Sequence, residues 1–471
     1  MKTTPLIAAA GIVAPAVAQG YKPAVSSSEL AKLVNIDELV AGAQDLYDIA
    51  KANGGQRAFG GAGHNATQPF VEEYVEAQTE LTVGGTDYVA TYLTYSPSAN
   101  LTKPLVAVSN IGCNATDYPS TVTGNIAYIK RGTCPFSEKV TNAKTAGAVG
   151  VIIYNHINKT VSGTLGGPGD WLPSVTVEYA PGQAILAQLS SAAEVSASIY
   201  INVIQENRTT FNVIAETKTG DHNNVLALGA HTDSVPEGPG INDDGSGTIG
   251  VLTVAKHLSK FSVKNAVRFG FWSAEEFGLL GPYHYVKTLN GTISGNASEI
   301  SKVRAYVNFD MIASPNYALG VHDGDGSTFN FSGPPGSDTI EKNFGAFFTS
   351  KNLSFIPSEF SGRSDYAAFL ENGIAAGGVD TGAEGLKTEE EAALFGGEAG
   401  VAYDINYHGP GDTVDNLALD AFLWNSQAIA DAVGRYANDF GDIPKPNITS
   451  LERRGTEMAK RGKENRNGSS A

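Results

Sequence analysis

The chain has 471 residues, of which 42% are hydrophobic and 17% are charged, and its formal net charge at pH 7 is −17. This composition is typical of a well-packed globular protein and excludes an intrinsically disordered chain, while the length favours two domains. A chain this acidic repels nucleic acid and anionic membrane surfaces, so we expect neither as a partner.

The first residues have the pattern of a secretory signal peptide. Lys2 precedes an apolar, alanine-rich stretch over residues 6–17, and the small residues Ala16 and Ala18 fit the usual cleavage rule. We therefore predict a signal peptide over residues 1–18 and a secreted protein, with the vacuolar lumen as the alternative. The apolar stretch is too short to cross a membrane, and no later stretch is longer, so we predict no membrane span.

Two further features agree with export from the cytosol. Cys113 and Cys134 are the only cysteines. An even number in an oxidising compartment favours a disulfide, with two buried thiols as the alternative. Sequons for N-glycosylation also recur along the chain. The predicted acceptors are Asn65, Asn100, Asn114, Asn158, Asn207, Asn290, Asn296, Asn330, Asn352 and Asn447.

Residues 19–79 have a helical pattern. Leucine and valine recur at a spacing of three to four residues between Leu30 and Leu46, and a second helix is predicted over residues 68–77. We assign residues 19–79 to the N-terminal helical part of the peptidase domain predicted below. The sequence leaves open whether a piece of this part is removed as a pro-segment.

Residues 80–210 form a block rich in predicted strands, with one predicted helix over residues 137–146. Within the block, residues 124–136 (GNIAYIKRGTCPF), then Lys139 and the run 143–154, resemble the protease-associated domain. The resemblance implies an inserted β-rich module without catalytic residues, whose usual suggested role is that of a lid or substrate-access element. The predicted strands are residues 80–95, 105–109, 125–130, 149–155 and 195–203.

From residue 211 onward, strands and helices alternate, which predicts a mostly parallel sheet with helices on both faces. The fold class is therefore α/β, with residues 211–445 as the main domain. Residues 446–471 are polar and charged, and we expect this tail to be disordered. The predicted strands are residues 211–216, 225–230, 267–272, 305–312 and 374–379; the predicted helices are residues 248–258, 279–288, 337–350, 365–371 and 419–438.

Residues of the types that bind metals stand at the ends of predicted strands and in the loop before the last helix. In open α/β sheets, ligands collect outside the carboxyl ends of the strands. Adjacent acids such as Glu275 and Glu276 are usually only solvated, but they follow an apolar strand and have no basic residue nearby. Asp310 sits among apolar neighbours, where an unpaired carboxylate costs several kcal/mol. The set comprises His231, Asp233, Asp243, Glu275, Glu276, Asp310, Tyr407, His408 and Asp412.

As a set, these motifs resemble a family, the secreted and vacuolar zinc aminopeptidases with two co-catalytic metals, of the aminopeptidase Y and secreted leucyl aminopeptidase type. The resemblance spans about residues 211–440. It implies a zinc exopeptidase-like α/β fold and the removal of N-terminal residues from peptides with a free N-terminus. The matching motifs begin at His231 (HTDS), Gly240 (GINDDGSG), Ser273 (SAEEFG), Asn308 (NFDM), Gly362 (GRSD) and Tyr407 (YH).

The resemblance implies two zinc ions per chain, bridged by the carboxylate of Asp243. One zinc ion is expected to bind His231 and Asp310 as well, and the other Glu276 and His408. Three protein ligands per zinc ion leave open the position that catalysis requires.

Further roles follow from the same resemblance. Glu275 is the expected general base, and Asp233 is expected to orient the ring of the histidine two residues before it. Tyr407 is expected to hydrogen-bond the developing oxyanion, and Arg363 to lie near the amino end of the substrate. The bond between Asp243 and the next residue is expected to be a cis peptide.

The sequence leaves three alternatives to an aminopeptidase open. Two are related enzymes, a zinc carboxypeptidase of the folate-hydrolase type and a glutaminyl cyclase; the third is a receptor-like relative without metal. The carboxypeptidases usually have an additional helical dimerisation domain, and the cyclases generally lack the inserted module. The absence of such a helical domain after the motif of His408 favours a monomer.

Overall fold

The computed structural model describes residues 22–58, 69–156, 163–166, 169–191, 194–293 and 298–446, and it gives only the backbone of residues 69–76 and 205–207. The predicted signal peptide and the predicted disordered tail lie outside these residues. Within the described ranges, every helix is too short or too polar to cross a membrane.

Two helices at the start of the described chain pack on the main domain. Helix α1 (Ser27–Ala31) is capped by the side chain of Ser26, and α2 (Ile36–Ala52) by that of Asn35; each accepts a backbone amide hydrogen. Such caps satisfy amides that have no partner within the helix. The apolar faces of both helices join the core of the main domain, including its last helix.

The first of two sheets contains the strands of the predicted β-rich block. These are β1 (Pro69–Val83), β2 (Thr86–Tyr88), β3 (Thr91–Tyr92), β4 (Ala99–Ala107), β5 (Ile126–Lys130), β6 (Gly150–Tyr154), β7 (Ser174–Val177) and β8 (Ser196–Phe211). Their spatial order is β2-β1-β8-β4-β5-β6-β7-β3. Strands β4 to β7 are parallel, whereas β1 and β8 form a long antiparallel ribbon. Helices α3 (Phe136–Thr145) and α4 (Tyr179–Ser191) pack on opposite faces.

In this region one predicted helix is wrong and one helix was not predicted. Residues 69–77 are not helical, because they belong to β1, which pairs with β8 along its whole length. A partner strand far along the chain supplies the hydrogen bonds that a helix would make internally, and local pattern does not reveal it. Helix α4 was not predicted, since Pro181 and Gly182 in its first turn look like loop residues.

A disulfide joins Cys113, in the loop after β4, to Cys134, just before α3, which confirms the predicted pairing. Beside it lies the fully buried side chain of Lys139. The ammonium group donates hydrogen bonds to the carbonyl oxygens of Ile111 and Lys130, the latter at 3.3 Å. Burial nevertheless lowers the pKa of Lys139 to about 8.

The second sheet is mostly parallel, as predicted. Its strands are β9 (Val213–Glu216), β10 (Asp221–His231), β11 (Asn265–Trp272), β12 (Val303–Phe309), β13 (Gly320–His322), β14 (Ile356–Ser358) and β15 (Ala375–Asp380). The order is β14-β13-β15-β12-β10-β11-β9, and β15, β12, β10 and β11 are parallel neighbours. Strands β13 and β14 escaped prediction because three residues are too short for a periodic signal.

Helices cover both faces of this sheet. They are α5 (Gly247–Leu258), α6 (Leu280–Leu289), α7 (Ser337–Ser350), α8 (Tyr366–Glu371), α9 (Glu389–Phe395) and α10 (Leu419–Tyr436). One core lies between the sheet and α5, α7 and α10; the other lies between the sheet and α6 and α8. The five helices predicted for this domain are confirmed to within two residues at either end, and α9 is additional.

Candidate metal centre

Three neighbouring parallel strands deliver acidic and histidine side chains to one edge of the second sheet. His231 ends β10 and stands opposite Trp272, the last residue of β11. Glu275 and Glu276 therefore follow β11 at the same edge, and Asp310 follows the end of β12. The sheet register thus brings together residues that are far apart in the sequence.

Asp243 lies at the centre of the group. Its Oδ1 is 3.1 Å from His231 Nε2, and its Oδ2 is 3.1 Å from His408 Nε2. Asp310 Oδ1 is 3.6 Å from His231 Nε2, and Glu276 Oε2 is 3.0 Å from His408 Nε2. Given Zn–N bonds of 2.0–2.1 Å, the ligand atoms around a tetrahedral zinc ion lie roughly 3.3 Å apart. Each of the two histidines thus lies close to Asp243 and to one further carboxylate. Glu276 also lies within metal-ligand reach of His231 and Asp243.

The protonation of these residues is consistent with a site for cations. Burial opposes a charge on His408, but hydrogen bonds to Asp243 and Glu276 raise its pKa to about 10. Burial raises the pKa of Glu276 to about 7, and no donor among the described residues reaches its buried Oε1. Protons on the histidines balance this acidic cluster, and metal ions would balance it in their place. The residues present therefore fit divalent metal ions.

Asp244 organises the backbone around the site. Its carboxylate accepts hydrogen bonds from the amides of His231 (3.1 Å), Gly247 (2.9 Å) and Met311 (3.2 Å). It therefore joins the ends of β10 and β12 to the start of α5. His231, Asp244 and Asp310 also lie within metal-ligand reach of one another. Because three amides already occupy the oxygens of Asp244, its role in the backbone is the better interpretation. The peptide bond between Asp243 and Asp244 is cis, as predicted.

Asp412 holds the segment that carries Asp243 from the other side. Its two carboxylate oxygens accept the amide hydrogens of Asn242 (2.7 Å) and Asp243 (3.0 Å). Two buried carboxylates thus fix the backbone position of the central aspartate.

Asp233 contacts both a predicted metal ligand and the predicted base. His231 Nδ1 is 3.2 Å from the carbonyl oxygen of Asp233 and 3.7 Å from its Oδ1. The backbone of Asp233, more closely than its side chain, therefore faces the ring nitrogen. Its Oδ1 accepts a hydrogen bond from the amide of Glu275 at 3.1 Å, so the carboxylate also fixes the position of Glu275.

Glu275 is buried beside the predicted metal ligands. Its Oε2 is 4.0 Å from His231 Nε2, farther than the carboxylate oxygens of Asp243 and Asp310. Burial raises the pKa of Glu275 well above that of an exposed glutamate. The side chain thus lies next to the predicted ligands and farther from His231 than Asp243 and Asp310 do.

Arg363 and Tyr407 lie together at the rim of the site. Arg363 donates hydrogen bonds to Tyr407 Oη at 3.2 Å and to both carboxylate oxygens of Glu384, at 2.8 and 3.3 Å. The ring of Tyr407 stacks on that of His408, with centroids 3.8 Å apart. A guanidinium group only donates, so it occupies a lone pair of Tyr407 and leaves the phenolic proton free to point elsewhere. Burial raises the pKa of Tyr407 and keeps that proton on the ring oxygen.

A cavity of about 610 Å³ opens on these residues. Asp243, Glu275 and Glu276 lie on one side of it. Its lining also includes apolar and aromatic residues, among them Met311 and Phe329. Such a cavity accepts the side chain of a small ligand held at the acidic edge.

The acidic cluster of Asp323, Asp325 and Glu341 lies elsewhere. These side chains come within metal-ligand reach of one another. However, the carboxylate of Asp323 already accepts hydrogen bonds from the amides of residues 327, 328 and 329. This cluster is therefore explained by the turn that it stabilises.

The predicted glycosylation sites differ in accessibility. Asn100, Asn114, Asn330 and Asn352 are exposed. Asn290 is half-buried, and its amide donates to the side chain of Asn372. The remaining predicted acceptors lie outside the described side chains; these are Asn65, Asn158, Asn207, Asn296 and Asn447.

Sequence reasoning missed two residues of this region. Glu384, which holds Arg363, lies in a loop without any periodic pattern. Arg57, which is buried beneath the site, lies between glycine-rich stretches of the N-terminal segment. No signal in the sequence connects either residue to the motifs around Asp243.

The fold and the site define a metal-dependent hydrolase, and comparisons with known proteins identify its family. The family model "Peptidase family M28" matches residues 212–433, and the PA domain model matches residues 101–185. The "Probable leucine aminopeptidase 2" of Aspergillus fumigatus is 50% identical to this chain, covering 96% of the chain and 95% of that protein.

Two solved structures share the architecture. The aminopeptidase of Aneurinibacillus sp. strain AM-1 is 26% identical and has a TM-score of 0.63, with coverage of 90% of this chain and 98% of that one. A zinc aminopeptidase of Bacillus subtilis, at 23% identity, has a TM-score of 0.61 and coverage of 87% and 98%; it supports the fold alone.

The chain belongs to peptidase family M28 and carries a PA domain, which confirms the predicted resemblance. It is a metallo-aminopeptidase, an enzyme that hydrolyses peptide bonds.

Proposed function

We propose that this protein is a secreted zinc aminopeptidase that uses two zinc ions to remove the N-terminal residue of a peptide. The observation that carries the proposal is the position of Asp243, each of whose carboxylate oxygens faces a different histidine at 3.1 Å. One carboxylate between two sets of donors is the arrangement of a co-catalytic metal pair.

His231 and Asp310 would complete the set of ligands for one zinc ion, and Glu276 and His408 that for the other. When bound, such a pair polarises the scissile carbonyl and lowers the pKa of water. Oxygen and imidazole ligands without thiolates suit this chemistry. The two disulfide-bonded cysteines lie in loops beside the first sheet and take no part.

Glu275 serves as the general base. It accepts a proton from the attacking water and returns it to the leaving amine. Burial and the amide contact with Asp233 hold its carboxylate in place beside the metal ligands. Tyr407 donates its free phenolic proton to the oxyanion, and Arg363 holds the tyrosine in that orientation.

The acidic edge of the cavity also suits the charged amino group that every aminopeptidase substrate carries. The apolar part of the wall, which includes Met311 and Phe329, suits an apolar first side chain. Since the A. fumigatus relative is named a leucine aminopeptidase, leucine is the N-terminal residue that we propose for the first assay.

The signal peptide pattern at residues 1–18 and the repeated sequons support secretion. The vacuolar lumen is the alternative destination, because it also lies on the secretory route. Among the described residues, the exposed side chains of Asn100, Asn114, Asn330 and Asn352 are the acceptors most open to glycosylation. We propose a monomer, as expected from the sequence.

The decisive experiment uses leucyl-p-nitroanilide beside an N-acetylated copy, with and without a zinc chelator. We expect cleavage of the free substrate only, loss of activity with the chelator and recovery on addition of zinc. Equal cleavage of the acetylated copy would rule out an aminopeptidase. Metal analysis tests the number of ions separately, and we expect two zinc ions per chain.

A further inference from the structure

Arg57 is a buried cation that lies outside the motifs named above. It follows α2 and is 6% exposed. Its backbone amide donates a hydrogen bond to Ser234 Oγ at 2.8 Å. Its side chain crosses beneath the loop of residues 232–240, which connects β10 to the turn that carries Asp243. An N-terminal segment thus reaches the base of the metal centre.

The guanidinium group binds both ends of this loop. Nη1 donates to the carbonyl oxygen of Thr232, the residue after His231. Nε donates to the carbonyl oxygen of Pro239 at 2.9 Å, and Nη2 donates to that of Gly240. The planar fork of arginine holds several acceptors in one fixed geometry, which a lysine cannot reproduce. The side chain therefore sets the distance between the two ends of the loop.

The backbone at the far end of the loop leaves no room for adjustment. Gly240 has φ of 61°, in the left-handed region. A Cβ atom at this position would lie 2.4 Å from the carbonyl oxygen of Asp243 and 3.1 Å from Arg57 Nη2. The turn is therefore tightly packed between Arg57 and the central aspartate, and a displaced guanidinium group would displace Asp243.

The positive charge of Arg57 also stabilises the arrangement of these residues. Arg57 is the cation buried among Asp233, Asp243, Asp244 and Asp412, which favour its charged form although burial opposes it. A positive charge beneath the cluster reduces the mutual repulsion of carboxylates that the fold forces together. Removal of Arg57 would loosen the loop and increase this repulsion.

We propose that Arg57 is a positioning residue for the metal centre, which clamps both ends of the loop 232–240 and so fixes His231 relative to Asp243. The proposal rests on the assignment of these two residues as zinc ligands. It also implies that the segment through residue 57 stays with the active enzyme, so that any pro-segment ends upstream of it.

The test compares Arg57→Lys with Arg304→Lys in the full-length enzyme. Arg304 also donates to backbone carbonyls, those of Ile443 and Pro444, but away from the site. Zinc affinity is measured by competition with a chromophoric chelator, and folding by thermal unfolding of the apo-protein. For Arg57→Lys we expect a loss of about 10- to 100-fold in affinity for at least one zinc ion, the usual effect of removing a group that supports a ligand. Arg304→Lys should lower stability without changing zinc affinity.

Rescue by zinc separates positioning from general instability. If loss of Arg57 lowers kcat only because fewer sites hold zinc, then excess zinc should return kcat of Arg57→Lys toward the wild-type value. Should Arg57→Lys fail to fold, Ser234→Ala removes the hydroxyl that accepts the amide of Arg57. The same hydroxyl donates to the carbonyl oxygen of Gly238 at 3.0 Å, so this variant should weaken zinc binding by at least about fivefold, the equivalent of one hydrogen bond. Unchanged zinc affinity in folded Arg57→Lys, or in Ser234→Ala if Arg57→Lys does not fold, overturns the proposal.

His231→Asn, measured alongside, distinguishes failure of the clamp from failure of the proposed function. If this variant binds zinc as the wild type does, the ligand assignment is wrong. If it loses zinc while Arg57→Lys does not, the ligands stand and only the clamp is rejected.

Discussion

The two sheets of this protein resemble each other in construction but differ in what their ends carry. Each contains four adjacent parallel strands, and each has an apolar core on both faces. In the second sheet, neighbouring strands end in histidine and acids whose side chains lie close together. In the first sheet, buried Lys139 donates to backbone carbonyls, and a disulfide ties the adjoining loops.

The difference shows that parallel strands alone do not make a functional site. Carboxylates buried together destabilise the fold unless a metal or a partner compensates them. Their presence at the edge of the second sheet therefore indicates a functional site, whereas the parallel strands that both sheets share do not. The same reasoning predicts that changes in the second sheet affect catalysis, and that changes in the first affect mainly stability.

Glu275→Gln, a change at the edge of the second sheet, should lower catalysis more than any other substitution considered below. The amide cannot accept the proton of the attacking water, so we expect kcat to fall by about 10²- to 10⁴-fold. Zinc content, measured by elemental analysis, should stay at the wild-type value because Glu275 is not a proposed ligand. A variant that retains both zinc and full activity would remove Glu275 from its role.

Tyr407→Phe tests the donor at the rim of the site. Loss of one oxyanion donor typically lowers kcat by about 10²- to 10³-fold, and we expect the effect in kcat rather than KM. Tyr128→Phe is the matched control in the first sheet, where the hydroxyl donates to the carbonyl oxygen of Gly182. Tyr128→Phe should keep its kcat and lose only stability. Equal losses of kcat in Tyr407→Phe and Tyr128→Phe would contradict the difference between the two sheets.

Replacement of Cys113 and Cys134 by serine tests whether a change beside the first sheet affects stability and leaves catalysis unchanged. The disulfide closes a loop with a sequence separation of 21, and such a cross-link typically stabilises a fold by about 3 kcal/mol. We expect a lower denaturant midpoint with kcat preserved at a temperature where the variant remains folded. A selective loss of kcat in the fully folded variant would instead connect the first sheet to catalysis.

Lys139 should give the smallest effect, visible in the pH dependence of stability. Burial lowers its pKa from 10.5 to about 8, so between these pH values the unfolded chain binds more protons than the folded one. Stability contributed by this group therefore rises with pH from about 8 upward. Denaturant titrations at pH 8.0 and 9.5 should give a slope that is more positive in the wild type than in Lys139→Met, because the other titrating groups contribute equally to both proteins. Higher pH is avoided because burial raises the pKa of Tyr118 and Tyr128 in the folded protein, so ionisation of these groups in the unfolded chain would mask the slope. An equal slope in both proteins would show that Lys139 is not the group responsible.

The sequence by itself determined the alternating α/β domain, because buried parallel strands appear as continuous apolar runs whose ends can be read directly. It also indicated which side chains would meet: His231, Glu276 and Asp310 each follow such a run. The β-rich block was recognised through its motif around Cys134, because the residues of that motif follow one another closely in the sequence.

Only the tertiary structure decided the partners that lie far apart in the sequence. Residues 69–77 form a strand because β8 pairs with them, although their local pattern favours a helix. Asp244 serves the backbone rather than a metal because amides from three elements converge on it. Arg57 and Glu384 gain their roles from contacts across the fold. Hydrogen bonds and charges act through space, so an isolated arginine or glutamate in a loop carries no trace in the sequence of what it will contact.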